Sequence, residues 1–286
     1  MRQLIGRNLK IFFRDKSTVF FSLLAVFIII GLYILFLGDM LASGLEGIPG
    51  SRFLMDSWIM GGLLSVTSMT TTLGAFGIMV EDQYKKTIMD FYCSPVKRSR
   101  LIGGYLISTF IIGVVISLIA FVLCEGYIML NGGRILPLMG ILKTIGLILL
   151  TTLTSSAIVA FLVTFFKSQN AFTSFSTVLG TLIGFLTGIY IPVGALPDTV
   201  QWGVKLFPIS HAAVLFRQVF MEVPMKESFA DAPVALFEDF KLTLGVVFSA
   251  GEGYIGVLTH LLVLPGSFVL FLLLAIWRFR QKKNVL

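Results

Sequence analysis

The chain has 286 residues, of which 56% are hydrophobic and only 13% are charged, and its formal net charge is +7. This apolar fraction exceeds the roughly 45–50% of soluble domains, and the mean hydropathy of +0.94 excludes water as the main solvent. The two cysteines, Cys93 and Cys124, are too few for a disulfide framework or a cysteine metal site.

Six apolar runs are long enough to cross a bilayer, which takes about 20 helical residues. They cover residues 19–37, 58–80, 101–123, 144–166, 171–191 and 257–276. The runs are continuous and do not alternate, so helices are predicted and barrel strands are not. We therefore predict an all-α membrane protein with six transmembrane helices. No cleavage site follows the first run, which indicates an uncleaved anchor.

Positive charge is distributed unevenly between the two sides of this topology. The side that holds both termini carries 15 of the 22 Lys and Arg residues and only four of the 15 acids. Because positively charged loops stay in the cytoplasm, both termini are predicted to be cytoplasmic, in a protein of the cell membrane. The net positive charge then faces anionic lipid headgroups and gives no reason to expect a nucleic-acid partner.

Residues 1–18 are predicted to form an interfacial amphipathic helix. Leu4, Leu9 and Phe12 recur at helical spacing, while Arg7 and Lys10 occupy the opposite face. The alternative is a basic tail that serves only as a topology signal.

The cytoplasmic segment 81–100 is polar and basic, and Ser94 and Pro95 interrupt it. A proline disfavours helical geometry in the residue before it, so we predict a short helix on each side of a turn. A solvated basic loop is the alternative interpretation.

Residues 192–256 form a long connection between the fifth and sixth predicted spans. Within it, residues 200–221 are apolar enough to lie at the outer leaflet or to enter it. Proline breaks at Pro192, Pro197 and Pro208 favour a partly re-entrant region that is buried in protein, where irregular backbone is tolerated.

The sequence contains no phosphate-binding loop, no metal-ligand cluster and no nucleophile with an adjacent base, so it predicts neither an enzyme nor a bound cofactor or metal. The two histidines, His211 and His260, fall in different segments. Ionisable residues are nearly missing from the span centres, which disfavours a gradient-driven carrier.

The spans are rich in hydroxyls and in one glycine repeat. Hydroxyls in the second, fourth and fifth spans suit either an amphipathic path or ordinary hydrogen bonding between helices. Gly180, Gly184 and Gly188 have four-residue spacing, which predicts one close-packed helix face against a partner inside the chain or in a second subunit.

Two ordered motifs resemble the ABC-2 type transporter permeases, the membrane subunits of ATP-driven exporters. The cytoplasmic motif consists of Glu81, Lys85, Thr87, Ser94, Pro95 and Arg98, with Lys86 where a glycine is common. The outer motif consists of Pro192, Pro197, Pro208, His211 and Arg217. The resemblance covers nearly the whole chain and implies one ABC-2 type transmembrane domain over residues 1–286.

The resemblance implies that segment 81–100 is a coupling helix that docks on two copies of an ABC ATP-binding subunit, where ATP and Mg²⁺ bind. It also implies a second permease, identical or homologous, and a path lined by the second and fifth spans. Its candidate lining residues are Ser68, Thr72, Thr177 and Thr181.

The expected function is export of an amphipathic compound by alternating access. A drug, a peptide antibiotic or a lipid-like molecule would fit, so a role in multidrug or antibiotic resistance is expected. The alternatives are export of a lipid-linked glycan or, from another class, a gradient-driven carrier or channel.

Overall fold

A computed structural model describes residues 1–37, 48–87, 98–166, 168–230, 232–250 and 253–281. Most of these residues are helical. The helices are α1 (Arg2–Arg14), α2 (Lys16–Leu32), α3 (Ser51–Tyr84), α4 (Arg98–Leu130), α5 (Leu138–Val163), α6 (Gln169–Leu186), α7 (Asp198–Leu206), α8 (Pro208–Phe220), α9 (Glu222–Ser228), α10 (Val234–Thr243) and α11 (Val257–Gln281). A π-helical turn extends α2 over Tyr33–Leu37, and two antiparallel two-residue strands, β1 (Ser249–Ala250) and β2 (Gly253–Tyr254), precede α11.

Five helices in the described part of the chain are long and apolar enough to cross a membrane, as the prediction of a helical membrane protein requires. The stretches that qualify are Lys16–Leu35, Ser51–Tyr84, Arg100–Leu130, Leu138–Val163 and Val257–Phe279. The fifth predicted span, residues 171–191, corresponds to α6, which has only 18 residues and ends at Leu186. The predicted count of six is therefore not confirmed.

The helix α6 ends early because the chain turns left-handed directly after it. Gly188 has φ +69, and the amides of Gly188 and Ile189 donate to the carbonyls of Phe185 and Gly184 at 3.0 Å each. This pair of bonds is the Schellman motif, in which a glycine follows the helix and its last carbonyls are satisfied. The four-residue spacing predicted that Gly188 lies on the same helix as Gly180 and Gly184, but Gly188 lies beyond the end of that helix.

The first two helices meet at a corner made by Asp15. Its carboxylate accepts hydrogen bonds from the backbone amides of Ser17 and Thr18 at 3.0 and 3.3 Å, and so caps α2. The amphipathic helix α1 stays separate from the first span. It buries Leu4, Asn8 and Phe12 against the rest of the protein.

The helix α3 is the centre of the bundle. It is 34 residues long, about 50 Å at 1.5 Å per residue, and it packs against α4, α5, α6 and α8. Its carboxyl end lies beside α1 and its amino end beside α8. Membrane helices approach closely where residues are small. At Gly61, a Cβ would lie only 3.2 Å from the backbone of Phe216 and Arg217 in α8.

Gly113 of α4 makes a similar close contact between three helices. A Cβ there would lie 2.5 Å from the Thr152 methyl of α5 and 3.1 Å from the Thr72 methyl of α3. All three residues lie in helices long and apolar enough to cross the membrane, and a larger side chain at this point would displace at least one of them.

We expect Gly113→Ala to lower the free energy of unfolding by about 1–3 kcal/mol, the usual cost of overpacking a core. The measurement is the thermal unfolding midpoint of the detergent-solubilised protein. The matched control is Gly126→Ala on the same helix, because a Cβ at Gly126 meets nothing within 4 Å. Equal midpoints for the two variants would contradict this packing.

Candidate coupling site

A buried ion pair joins α1 to the carboxyl end of α3. The guanidinium of Arg7 donates two hydrogen bonds to the Asp82 carboxylate, Nη1 to Oδ2 at 2.6 Å and Nη2 to Oδ1 at 2.7 Å. This bidentate geometry is the strongest form of a charged hydrogen bond in proteins. The Asp82 side chain is only 6% exposed and that of Arg7 33%. The carboxylate is thus buried in the protein, while the guanidinium is partly exposed.

The start of α4 joins the same carboxylate. The hydroxyl of Tyr105 donates to Asp82 Oδ2 at 2.6 Å, so one carboxylate binds two other helices. One residue further along α1, Asn8 Nδ2 donates to Ser108 Oγ of α4 at 3.0 Å. We call Arg7, Asn8, Asp82, Tyr105 and Ser108 the three-helix cluster.

The close approach of α1 to α4 depends on a glycine and on helical periodicity. A Cβ on Gly104 would lie 2.6 Å from Leu4 Cδ2. Arg7 and Asn8 follow Leu4 by three and four residues, so both lie on the face of α1 that carries Leu4.

The hydrogen bond to Asp82 raises the pKa of Arg7, which therefore stays cationic.

The three-helix cluster lies where the predicted coupling segment joins α3 on one side and α4 on the other. Asp82 is near the end of α3, directly before residues 88–97, and Tyr105 and Ser108 are near the start of α4, directly after them. The predicted contacts Ser94 and Pro95 lie outside the described residues. For Arg98 the structure describes only the backbone, as the first residue of α4.

The other predicted coupling residues are described at the end of α3. Lys85 forms an ion pair with Glu81 one helical turn away, and both side chains are exposed. Thr87 follows Lys86, which has φ +59. This is the left-handed region that favours glycine, and the permeases commonly have glycine at this position. Lys86 therefore takes a left-handed conformation that suits a glycine better than a lysine.

Sequence reasoning missed the three-helix cluster. It assigned Arg7 to the polar face of α1 and counted Asp82 only as a cytoplasmic acid. The available signal was a carboxylate one turn from the end of a long apolar run, because a charge in such a place needs a partner. Nothing in the local sequence indicated which residue that partner is.

The four candidate path residues do not share a surface within this subunit. Ser68 and Thr72 of α3 are buried, and Ser68 Oγ lies 3.2 Å from Ser117 Oγ of α4. Thr177 and Thr181 of α6 are exposed, and each hydroxyl donates to the carbonyl four residues earlier at 3.1 Å. Their common role in a path remains a prediction that depends on a second permease.

The predicted glycine face of α6 is not formed as one surface. Gly180 faces open space, whereas a Cβ on Gly184 would overlap the ring of Tyr190, in the chain that folds back after α6. Gly188 lies beyond the helix end. Gly184 and Gly188 therefore serve two different local contacts, and packing of Gly180 against a second subunit stays a prediction.

The three prolines of the outer motif each stand at the start of a helical element. Pro192 precedes the 3₁₀ turn Val193–Ala195, Pro197 precedes α7 and Pro208 is the first residue of α8. Each proline starts a helical turn, where its missing amide costs nothing. The helix α8 is buried between α3, α5 and α11.

The two histidines, expected in separate segments, are in direct contact. His211 Nδ1 lies 2.6 Å from His260 Nδ1, and His211 Nε2 lies 2.8 Å from the carbonyl oxygen of Lys205. The carbonyl accepts, so His211 Nε2 donates and its Nδ1 accepts from His260 in the neutral pair. The pair links α8 to α11.

Arg217 connects several segments at the amino end of α3. It is completely buried, its guanidinium carbon lies 4.8 Å from the centre of the Trp58 ring, and Nη2 donates to the Gly188 carbonyl at 2.9 Å. Positive φ angles at Gly188 and Gly245 bring both turns close to its Nη1. Among the described residues no carboxylate forms an ion pair with Arg217. The aromatic face and the carbonyl therefore stabilise its charge.

We expect a double-mutant cycle of Arg7→Gln and Asp82→Asn to give a coupling energy of about 1–3 kcal/mol, because the pair is bidentate and Asp82 is buried. The measurement is the unfolding free energy of the two single variants, the double variant and the parent. Lys85→Gln removes an exposed ion pair on the same helix end and serves as the control, for which no measurable shift is expected. Strict additivity of the two single changes would contradict a direct interaction.

Arg217→Lys is expected to destabilise the protein by about 2–4 kcal/mol, although the charge is kept. An ammonium group does not reproduce the planar contact with Trp58 together with the bond to the Gly188 carbonyl. Thermal unfolding is again the measurement. Arg134→Lys, at an exposed ion pair with Glu227, is the control with no shift expected. A wild-type midpoint for the Arg217 variant would show that shape at this position is unimportant.

A family model described as ABC-2 family transporter protein matches residues 50–277, which include α3 to α10 and most of α11. A search of curated proteins finds no match. Permeases of this family are membrane subunits that work with ABC ATP-binding subunits. The resemblance predicted from the two motifs is thus confirmed, and the chain belongs to the ABC-2 family of transporter proteins.

Proposed function

We propose that this chain is the permease of an ATP-driven exporter that moves an amphipathic compound out of the cell. Two ATP-binding subunits supply ATP and Mg²⁺, and a second permease, identical or homologous, completes the complex. The termini are cytoplasmic, α6 completes six spans, and α7 and α8 enter the membrane from outside. Family membership and the unequal distribution of Lys and Arg support this arrangement.

The observation that carries the proposal is that the Asp82 carboxylate binds α1 and α4 at the same time. A helix docked on an ATP-binding subunit transmits motion only if its connections to the rest of the protein are rigid. Here the end of α3 and the start of α4, which flank the segment, are joined through charged hydrogen bonds of Asp82. A displacement of the segment therefore moves the adjoining ends of α1, α3 and α4 together. The ion pair Glu81–Lys85 is exposed at the end of α3 and is available to a polar subunit interface.

The exposed face of α6 supports a path at the contact with the second permease. This face combines the hydroxyl residues Thr177 and Thr181 with the apolar Val178 and Leu182. Such a mixture suits an amphipathic compound. Ser68 and Thr72 are buried beside α4. In this proposal they join the path when α3 and α4 separate near their middle during the transport cycle, while Asp82 keeps the cytoplasmic ends of the two helices joined.

The experiment requires the chain to be purified together with a co-expressed ABC ATP-binding subunit. ATP hydrolysis is measured in vesicles while amphipathic compounds are screened for stimulation. We expect Asp82→Asn to reduce stimulated hydrolysis at least about fivefold, which corresponds to the lower end of coupling energies between distant sites. Complex assembly, followed by co-elution, is expected to remain intact.

The control is Arg134→Gln, which removes an exposed ion pair from the opposite end of the bundle. It is expected to retain full stimulation. If no ATP-binding subunit co-purifies, or if Asp82→Asn hydrolyses ATP with full stimulation, the proposed coupling is wrong.

A further inference from the structure

A large cavity lies at the end of the bundle opposite the three-helix cluster. Its volume is about 990 Å³, and α5, α8, α10 and α11 enclose it together with α9 and the turn after it. Small-molecule sites usually have about 300–1,000 Å³, so this one is at the upper end. Its walls are mainly apolar, and they include Leu147, Leu150, Val219, Phe229, Phe237 and Leu261.

The cavity extends along the apolar part of α5, which the proposed topology places in the hydrocarbon region. Lys143 stands near the start of α5, and Leu150 lies seven residues further, about 10 Å deeper along the helix. The same helices expose apolar side chains beside the cavity, such as Leu142 and Leu149 on α5 and Leu258 and Leu262 on α11. In the proposed topology these exposed side chains face lipid, so lipid lies next to the helices that line the cavity.

The polar groups of the cavity are concentrated at its rim and are mostly cationic. Lys226 Nζ lies 3.0 Å from Glu222 Oε1, and Lys143 Nζ lies 3.5 Å from Glu222 Oε2. The hydrogen bond from Lys226 and the neighbouring Lys143 lower the pKa of Glu222, which stays ionised. Two amines share one carboxylate, so this group has a net charge of +1. Lys241, the third lysine, is paired with Glu238 at 2.7 Å.

We propose that this cavity binds one anionic phospholipid, with an acyl chain between α5 and α11 and its phosphate at Lys143 and Lys226. The cavity matches both parts of such a lipid. Its apolar depth accepts an acyl chain, and the single negative charge of the phosphate neutralises the net charge of +1 at the rim. Lysines on long stems readily reach headgroup oxygens from such positions. In the proposed topology the lipid comes from the outer leaflet. The site needs neither ATP nor a transported compound, so it goes beyond the proposed function and does not depend on it.

The test uses tryptophan fluorescence of the full chain in vesicles. Leu150→Trp places the reporter in the cavity, and Leu149→Trp places a matched reporter at the same depth on the exposed side of α5. Phosphatidylglycerol or phosphatidylcholine with brominated chains is added as a minor component of ordinary phosphatidylcholine vesicles. Bromine quenches only tryptophans that its chain contacts. Fluorescence of the parent protein is subtracted, because Trp58, Trp202 and Trp277 are present.

We expect brominated phosphatidylglycerol to quench Leu150→Trp at about tenfold lower concentration than brominated phosphatidylcholine, because two lysines each favour an anionic headgroup several-fold. Leu149→Trp is expected to be quenched equally by both lipids. Adding Lys143→Gln and Lys226→Gln to the Leu150→Trp variant should remove the preference for phosphatidylglycerol. Quenching by the brominated acyl chains of either lipid should remain. Native mass spectrometry of the parent protein, which needs no substitution, should show retained phosphatidylglycerol in preference to phosphatidylcholine.

Three results would overturn the proposal. Equal quenching of Leu150→Trp by both lipids would mean that the cavity does not select a headgroup. No quenching there would mean that another occupant, such as a second copy of this chain, covers the cavity. A preference that survives loss of both lysines would place the headgroup elsewhere. Loss of ATP-driven transport would not bear on any of these results, so the two proposals fail independently.

Discussion

The burial of α3 on nearly all sides is the constraint on which the rest of the structure depends. In a membrane bundle a buried polar group cannot form hydrogen bonds with water. Burial without a partner inside the protein therefore costs free energy. The hydroxyls of α3 largely donate to carbonyls of their own helix, as Thr67 does to Leu63 at 2.8 Å. An ionised carboxylate cannot donate to a backbone carbonyl. Asp82 therefore binds Arg7 and Tyr105, and Asp56 at the other end of α3 forms an ion pair with Arg52.

These requirements give the two ends of α3 different structures. At one end, charged side chains of α1 and α4 meet a single carboxylate. At the other end, Gly61 and Gly62 let α8 approach, and Arg217 then lies on Trp58 and holds the turn after α6. Cross-connections at both ends of a helix about 50 Å long make it a stiff element. Stiffness is what a permease needs if force enters at one end and opens a route at the other.

Local signals predicted most of the helices and fewer of their contacts. The apolar runs predicted the long helices because twenty apolar residues are enough to mark a span. The end of α6 was misjudged, since the left-handed turn at Gly188 depends on the chain folding back towards Arg217. Asp82 was recognised only as a cytoplasmic charge, because its partners are 75 and 23 residues away in sequence. His211 and His260 were assigned to separate segments for the same reason.

By itself, the sequence determined that this protein is apolar enough for a membrane and that it belongs to the ABC-2 family. Those properties depend on composition, on run length and on motifs whose residues are close in the chain. Only the tertiary structure decided that Arg7 binds Asp82, that the histidines form a pair and that a cavity with lysines at its rim lies between α5 and α11. Each of these features joins segments that helix packing brings together, and the geometry of packing is not contained in any short stretch of residues.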